Sequence, residues 1–546
     1  MKNLLVTCAL PYANGPIHLG HLVEYIQADI WVRFQRLQGR DCLFICGEDT
    51  HGTPVMLAAQ KQQISPEQLI ASIKEAHERD LAGFHISFDH YYTTHSPENK
   101  VLTEFIYQRM FENKAICVRT IAQAYDPQAN MFLPDRYVKG CCPCCKTPEQ
   151  YGDNCEACGS TYAPLDLINP ISVVSGCTPI AKESEHYFFK LSQYTEFLRA
   201  WIQAGHVQEE VKNKLLEWFK EGLHDLDISR DAPYFGFTIP GRLDKYFYVW
   251  LDAPIGYIAI FQHLCAQRPE LDFSAYWHDA QKTDLYHFIG KDIINFHAIF
   301  WPAILKSAGF RTPTQIITHG YLTIDGQKMS KSRGTFILAR SYLEHFHPDY
   351  LRYYFASKLN HKADDLDLNF DEFMQRINAE LISKLINIAS RCARFINQEF
   401  NNQLAHTCAE PELLQTIINA HTTIAEYYQH CHYHRIIRTV MNLTEKVNQY
   451  IDRVKPWTCI KDPNRRQETQ IICTTALNCF RILMLYLKPI LPNTVAKVET
   501  FLNSPELNWQ DHKNLLLTHN IRDYEPLLTR ITDTMLSQFK TSIQKA

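Results

Sequence analysis

The stretch that most constrains this chain is residues 8–21, CALPYANGPIHLGH, called here the signature turn. It follows the apolar run 3–7, which predicts a buried strand, and its own Pro, Asn and Gly residues form turns. After it, apolar residues recur every three to four positions up to Leu37, and Gly39 follows, as in an amphipathic helix with a glycine cap. A strand, a turn and a helix N-terminus in this order expose backbone N–H groups and a positive dipole end, so the stretch predicts a phosphate site.

Three residues of the signature turn are candidate ligand contacts. His18 and His21 lie three positions apart on the first helical turn and are expected to point the same way. Gly20 between them has no side chain, so a base or a ribose could lie against the backbone. Alone, however, an H-x-G-H motif also fits an ordinary helix start, and a second motif is needed.

Composition limits the class of protein. At 546 residues the chain exceeds one hydrophobic core and predicts about three domains. No apolar run approaches the roughly 18 residues of a membrane span, so no membrane association is expected. The 18 cysteines, without a secretory leader, indicate reduced thiols and a cytoplasmic location. The net charge of -4 implies that any nucleic acid would be held by local basic patches.

The next segments extend the first strand and helix into a doubly wound α/β fold. Residues 41–46 predict a second buried strand, parallel to the first. Ligands of such sheets bind beyond the carboxyl ends of the strands, where the sequence GEDTHGTP (47–54) falls. Asp49 could pair there with an ammonium group, or it could simply cap the following helix. Ser65-Pro66 and Ser96-Pro97 predict two further helix starts.

A cysteine cluster lies in sequence that becomes rich in turn residues from about residue 117. The predicted ligands of one structural Zn²⁺ are two C-x-x-C pairs, Cys142, Cys145, Cys155 and Cys158. Four thiolates would fill the coordination sphere, which argues against a catalytic metal. Cys141 and Cys144 offer another register for the first pair, although Pro143 favours the first assignment. A disulfide is the alternative, disfavoured in a cytoplasmic chain.

After helices predicted up to Gly222, an aromatic stretch, residues 246–257, predicts a strand. Its carboxyl end would carry the walls of an apolar pocket, Trp250, Ala253, Pro254 and Tyr257. An aromatic-rich core strand is the alternative.

Residues 286–297 predict another strand, a glycine turn and a helix start. Gly290 would permit close approach of a ligand, and Asp292 could accept ribose hydroxyls or cap the helix.

The second motif is DGQKMSKSRG, residues 325–334, called here the lysine loop. Alone it fits a solvated surface turn. Together with the signature turn, Lys328 and Lys331 could bring positive charge to departing phosphate oxygens.

The two motifs together resemble those of class I aminoacyl-tRNA synthetases. The stretches PYANGPIHLGH, GEDTHGTP, YVWLDAPIGY, HFIGKDIINFH and KMSKSRGT are similar to the methionyl-tRNA synthetase family over nearly the whole chain. The isoleucine enzyme shares a PYANG-type opening, so GEDTHGTP, LDAPIGY and the cysteine cluster are the discriminating features. The resemblance implies ATP-dependent ligation of L-methionine to tRNA(Met) through a methionyl-adenylate, with release of AMP and pyrophosphate and with Mg²⁺ accompanying ATP.

The resemblance also implies roles for individual residues. The catalytic charge-stabilising residues would be His18, His21, Lys328 and Lys331. The ATP-binding residues would be Gly20, Gly290, Asp292 and Lys331. The methionine pocket would consist of Ala9, Leu10, Tyr12, Asp49, Trp250, Ala253, Pro254, Tyr257, Ile293 and His297. The tRNA-binding residues would be Asn387, Arg391 and Trp457, although Trp457 could instead cap a helical core.

The architecture implied is a Rossmann-like, doubly wound parallel-sheet catalytic domain with an inserted zinc-knuckle domain and a C-terminal α-helical bundle. The expected divisions are the first half of the catalytic fold (1–116), the insertion (117–233), the second catalytic half (234–320), the lysine loop with a connecting domain (321–380) and the anticodon-binding bundle (381–546). Only one knuckle is present, which predicts a single zinc. Family members with an appended dimerising domain are longer, so a monomer is expected.

Three other functions remain compatible with the residues alone. A nucleotidylyltransferase would share the phosphate chemistry but leave the cysteines and the helical half unexplained. A non-enzymatic, synthetase-like RNA-binding protein is disfavoured by the intact His and Lys residues. A synthetase for another amino acid is the third.

Overall fold

The active-site region is organised by a five-stranded parallel sheet near the N-terminus. The structure is a computed structural model that describes residues 2–152, 155, 157, 158, 160, 162–329 and 335–545. Its strands are β1 (Asn3–Cys8), β2 (Cys42–Glu48), β3 (His90–Thr93), β4 (Ile116–Asp126), β5 (Met131–Phe132), β6 (Val138–Cys141), β7 (Gln150–Tyr151), β8 (Ile168–Ser172), β9 (Ile180–Phe189), β10 (Leu226–Asp227), β11 (Ser229–Asp231), β12 (Lys245–Phe247), β13 (Thr283–Gly290), β14 (Gln315–His319), β15 (Leu322–Ile324), β16 (Gln327–Lys328) and β17 (Leu366–Leu368).

The α-helices are α1 (Leu19–Leu37), α2 (Thr53–Gln62), α3 (Pro66–Gly83), α4 (Pro97–Glu112), α5 (Thr195–Gln203), α6 (Glu209–Glu221), α7 (Val249–Gln267), α8 (Phe273–Trp277), α9 (Trp301–Ala308), α10 (Ala339–Leu343), α11 (Pro348–Lys358), α12 (Phe370–Gln375), α13 (Asn387–Glu399), α14 (Pro411–Gln429), α15 (Tyr433–Val454), α16 (Pro456–Cys459), α17 (Arg466–Leu487), α18 (Pro492–Phe501) and α19 (Asp533–Lys545). Segments Phe296–Phe300 and Arg376–Ile386 are π-helical.

The predicted doubly wound sheet is confirmed. Its strand order is β14-β13-β1-β2-β3, and all neighbours are parallel. β1 and β2 are almost wholly buried, as apolar strands covered on both faces should be. The chain order reverses between β1 and β13, so a crevice opens beyond their carboxyl ends. The signature turn follows β1 at this crevice.

The helix predicted after the signature turn is also confirmed. α1 begins at Leu19, buries its apolar stripe, and gives way to Gly39, whose φ of +80° suits a residue without a Cβ.

In the inserted region, α5 and α6 confirm the helices predicted up to Gly222, but the part predicted as turn-rich contains a sheet. β4 and β9 pair over ten residues in an antiparallel sheet of order β10-β9-β4-β5. β4 has several exposed and polar positions and no clear alternation. Its pairing with a strand about sixty residues later stabilises it, and local sequence patterns do not report such a partner.

The strand predicted at residues 246–257 is wrong over most of its length. β12 ends at Phe247, and α7 begins at Val249, so the four pocket residues predicted there lie on a helix. The density of aromatic residues favoured a strand, but the positions 250, 253, 254 and 257 follow a helical spacing. The helix brings all four residues to neighbouring turns.

The predicted C-terminal helical bundle is confirmed: from α11 onward the described chain is mostly helical, with the short β17 between α11 and α12. The bundle packs directly on α1. Phe34 stacks on Tyr428 with ring centroids 4.6 Å apart. The Trp31 indole donates to the Gln429 carbonyl at 3.3 Å, and the Tyr433 hydroxyl donates to the carbonyl of Gln27 at 3.0 Å. One hydrophobic core therefore joins the catalytic sheet to the bundle.

Two helical segments, Val249–Gln267 and Pro463–Leu487, are long and apolar enough to cross a membrane by length and composition. Their most apolar windows are 61% and 89% buried inside the protein, as expected of core helices.

Candidate active site

The two histidines of the signature turn cap the helix that they begin. The backbone N–H of Gly20 donates to Nδ1 of His18 at 3.1 Å, and the N–H of His18 donates to Nδ1 of His21 at 3.3 Å. The rings stack with centroids 3.6 Å apart. Because both Nδ1 atoms accept, each neutral ring carries its proton on Nε2. Burial, and then His18, keep the pKa of His21 well below its usual value, so this ring stays a neutral donor.

The lysine loop and the segment just after it meet the signature turn. A Cβ on Gly20 would lie 2.7 Å from Cε of Met329, so Met329 lies directly over this glycine. On the other side of the loop, Leu338 forms a β-bridge with His18, and the N–H of Leu19 donates to the Ile337 carbonyl at 2.9 Å. Met329 of the loop and Leu338 just after the loop therefore lie beside the capping histidines.

The lysines themselves are only partly accounted for. Lys328 is exposed at the end of β16. The hydrogen bond from Lys291 lowers the pKa of Asp365, and the charge of Lys328 adds to this effect. Lys331 lies outside the described residues.

The predicted nucleotide residues Gly290 and Asp292 lie at the carboxyl end of β13, across the crevice from β1. A Cβ on Gly290 would lie 2.5 Å from Oδ1 of Asp292, so the Asp292 carboxylate lies directly against this glycine. Asp292 is exposed and available to a ligand.

The predicted methionine pocket residues come from four segments at the crevice: the residues after β1, Asp49 after β2, α7, and the segment 293–297 after β13. After β1, Leu10 faces α7, where a Cβ on Gly256 would lie 3.2 Å from Cδ1 of Leu10. Ala9 directly follows β1, and Tyr12 forms a parallel bridge with Asp49. Ala253 and Pro254 lie between Trp250 and Tyr257 on α7.

One hydrogen bond joins α7 to the segment 293–297. The Tyr257 hydroxyl lies 2.9 Å from Nε2 of His297, whose Nδ1 lies 3.1 Å from the Ile293 carbonyl. A carbonyl only accepts, so Nδ1 carries the proton and Nε2 accepts from Tyr257. Burial lowers the pKa of His297 to about 4, which keeps this ring neutral. His297 lies in the π-helical segment, a feature often found at functional sites.

Asp49 carries an unsatisfied carboxylate. Among the described residues its Oδ1 is buried without a hydrogen-bond partner. Burial, and then the Asp252 carboxylate, raise the pKa of Asp49 well above its usual value. A cationic ligand group would relieve both effects.

Sequence reasoning missed the residues that hold this crevice together. Glu24 accepts from the Ala9 N–H at 2.5 Å and lies 3.6 Å from Nε2 of His319. The adjacent Tyr25 hydroxyl donates to the Ala9 carbonyl at 3.1 Å. A glutamate among the apolar positions of α1 was the available signal, because an unpaired buried carboxylate would be costly.

The cysteine cluster forms a tetrathiol site. The sulfur atoms of Cys142, Cys145, Cys155 and Cys158 lie within 4.8 Å of one another. The Cys142–Cys158 and Cys145–Cys155 sulfur pairs are separated by 3.8 and 3.5 Å. A tetrahedron with Zn–S bonds of about 2.3 Å has sulfur atoms roughly 3.8 Å apart, so this donor set fits zinc. The grouping supports the Cys142/Cys145 register that the sequence favoured over Cys141/Cys144.

The predicted tRNA-binding residues share one face of the bundle. The Arg391 guanidinium lies over the Trp457 ring at 4.9 Å and pairs with Asp452 at 2.7 Å. Trp457 is 37% exposed, so it does not simply cap the core. Asn387 lies one helical turn before Arg391.

Comparisons with known proteins agree with this arrangement. A family model described as tRNA synthetases class I (M) matches residues 4–393. A second model, described as the anticodon binding domain of methionyl tRNA ligase, matches residues 404–544.

Two similar solved structures are of Mycobacterium tuberculosis methionyl-tRNA synthetase bound to methionyl-adenylate. The first is 24% identical with a TM-score of 0.80, and the second is 22% identical with a TM-score of 0.79. Each match covers 97% of this chain and 100% of the other, and at these identities it shows a shared fold. The family model, which spans most of the chain, shows more: this chain belongs to the class I tRNA synthetases of the methionyl family.

Proposed function

We propose that the crevice between β1 and β13 binds ATP and methionine, forms methionyl-adenylate, and passes the methionyl group to tRNA. As a member of its family, the chain is a methionine–tRNA ligase. One observation carries the assignment of the site: Met329 within the lysine loop lies against Gly20, and Leu338 just after the loop pairs with His18. Neutral histidine donors and loop cations can thus act on one triphosphate.

The chemistry needs no protein nucleophile. A methionine carboxylate oxygen attacks the α-phosphorus of ATP, and the bond to pyrophosphate breaks. A hydroxyl of the terminal tRNA ribose then attacks the methionyl carbonyl, and AMP leaves. Mg²⁺ bound with ATP would supply positive charge to the phosphates.

The residues of this chain orient the reactants and stabilise charge. The Nε2–H groups of His18 and His21 would donate to phosphate oxygens, with Lys328 and Lys331 supplying positive charge as pyrophosphate departs. Gly20 and Gly290 would leave room for the nucleotide, and Asp292 would accept a ribose hydroxyl.

The methionine pocket is assigned from the buried Oδ1 of Asp49, which has no partner among the described residues, and from the apolar and aromatic side chains nearby. Asp49 would pair with the amino group. The side chain would lie against Leu10 and the residues of α7, and Trp250 and Tyr257 offer rings to a polarisable thioether. Ala9, Tyr12, Ala253, Pro254 and Ile293 complete the wall, and His297 fixes Tyr257.

The other regions have supporting roles. Arg391, Asn387 and Trp457 would contact the anticodon by hydrogen bonding and stacking. The four clustered cysteines would hold one structural zinc ion, which would cross-link the two halves of the knuckle. The divisions 1–116, 117–233, 234–320, 321–380 and 381–546 are proposed as the domains. The protein is proposed to act as a cytoplasmic monomer.

Pyrophosphate exchange into ATP, measured with each amino acid in turn, tests the proposal. Exchange should depend on methionine, and aminoacylation should require tRNA(Met). Exchange that depends on another amino acid, or no exchange, would contradict it.

Lys331→Ala separates a charge-stabilising role from a binding role. The rate of adenylate formation should fall on the order of 10²-fold, with methionine affinity unchanged, because the ammonium group acts on the transition state. Equal loss of both would indicate a structural lysine.

A further inference from the structure

Two buried side chains that the mechanism does not use lie behind the signature turn. Glu48 ends β2 and is 0% exposed, and His77 lies on α3 and is 1% exposed. Nδ1 of His77 lies 3.2 Å from Oε1 of Glu48. On the opposite side of the ring, Nε2 of His77 lies 2.7 Å from the carbonyl oxygen of Gly15.

The contacts fix how the His77 ring is oriented. A carbonyl oxygen only accepts, so Nε2 carries a proton and donates it to Gly15. On its other edge, Nδ1 faces the Glu48 carboxylate within ion-pair distance. The ring therefore lies between the end of β2 and the signature turn.

The Gly15–Pro16 peptide unit of the signature turn is limited in the hydrogen bonds that it can form. Pro16 has no N–H, so the Gly15–Pro16 peptide unit can accept a hydrogen bond but cannot donate one. Its carbonyl is the group that His77 holds. Two residues later, the Ile17 carbonyl accepts from the Ala339 N–H at 2.9 Å, and His18 follows immediately.

We propose that His77, oriented by Glu48, is a positioning residue that fixes the signature turn through the Gly15 carbonyl and so aligns His18 and His21 with ATP. This inference rests on the proposed function for its kinetic consequence, because His77 itself touches no substrate. A displacement of about 1 Å in a catalytic group can cost 10²-fold in rate.

The test compares His77→Phe, which retains a ring without a donor, with His77→Gln, which retains an N–H donor. In methionine-dependent pyrophosphate exchange, His77→Phe should lower kcat on the order of 10²-fold and leave the KM for methionine nearly unchanged. His77→Gln should recover most of the lost kcat. Glu48→Gln should stay close to wild type, because an amide N–H can still donate to Nδ1.

Leu81→Ala, in the buried part of the same helix, is the control for lost stability. It should lower the Tm without separating kcat from KM. The proposal is overturned if His77→Phe keeps wild-type kcat, or if His77→Gln recovers none of the loss.

Hydrogen–deuterium exchange of residues 12–18 gives a readout that does not depend on activity. Exchange should be faster in His77→Phe than in wild type or His77→Gln. Unchanged exchange in His77→Phe would overturn the proposed support, whereas absent pyrophosphate exchange in wild type would count only against the proposed function.

Discussion

The hydroxyl of Tyr257 is the polar end of a buried ring in the pocket wall, and it contacts His297. Tyr257→Phe removes the donor to Nε2 of His297 and leaves that nitrogen buried and unpaired, which costs about 1–3 kcal/mol. The KM for methionine should therefore rise roughly tenfold or more, with a smaller change in kcat. Steady-state pyrophosphate exchange over a range of methionine concentrations measures both quantities.

Tyr428→Phe is the matched control, because it also removes a buried hydroxyl donor, to the Tyr486 carbonyl, far from the crevice. It should lower stability and leave the methionine KM unchanged. A similar KM for Tyr257→Phe and wild type would remove Tyr257 from the pocket.

The sequence predicted which residues of a known motif belong to the site. It did not predict the hydrogen-bond partners of these residues. His18 and His21 were predicted at a helix start, but their capping hydrogen bonds were not, nor were the contacts of Glu24 with Ala9 and His319. Those contacts join three segments, and their pairing depends on the strand order, which the sequence of any one segment does not contain.

At the scale of elements, the knuckle gives a prediction about register. Cys142→Ser or Cys145→Ser should abolish binding of one zinc equivalent, because each removes a thiolate from the clustered set. Cys141→Ser and Cys144→Ser are the matched controls and should keep the metal. Release by a mercurial reagent, followed with a colorimetric chelator, counts zinc per chain. Loss of zinc in the control variants would instead support the other register.

The seam between β9 and β11 gives a pH prediction. His186 is buried, with Nδ1 2.7 Å from Asp227 and Nε2 3.0 Å from Asp231. Burial alone would lower the pKa of His186, but the two carboxylates raise it above its usual value. The stability from this pair is therefore complete below about pH 6.5 and is lost as pH rises through the raised pKa.

Thermal unfolding between pH 6.5 and 9 measures this effect. The Tm of wild type should fall with rising pH more steeply than that of His186→Gln, which has no titrating ring. Parallel profiles for the two proteins would show that His186 titrates alike in the folded and unfolded states.

Elements with their own apolar period were predictable, whereas those that depend on a distant partner were not. β1, α1 and β2 each carry a clear pattern, and all three were predicted. β4 and α7 were not, since β4 is stabilised by β9 and the aromatic residues of α7 imitate a strand.

At the scale of the whole molecule, Arg352 joins the catalytic and helical halves. It is fully buried, pairs with Asp29 of α1 at 2.7 Å, and donates to the carbonyls of Phe84, Pro489 and Ile490. Arg352→Met should lower the free energy of unfolding by about 3–5 kcal/mol, because it leaves a buried carboxylate short of a partner. Urea unfolding followed by circular dichroism measures the loss.

Arg465→Met is the control, because it breaks an exposed pair with Glu468 and should cost only about 0–1 kcal/mol. Equal losses in the two variants would show that the Arg352 contacts do not bind the halves together. The sequence predicted both halves but not this junction, because no pattern within α1 reports which helices cover it.

The length of α1 fixes the distance between the histidine pair and the helical bundle. Its 19 residues span about 28 Å, from the histidine pair at one end to the aromatic contacts with α14 at the other. α1 is a continuous helix, so the bundle cannot rotate relative to the sheet without breaking the contacts of Phe34 with Tyr428 and of Trp31 with Gln429. The distance between the bundle and the catalytic crevice is therefore fixed. The shape of an RNA bound at the bundle, rather than bending of the protein, would decide whether its acceptor end reaches the crevice.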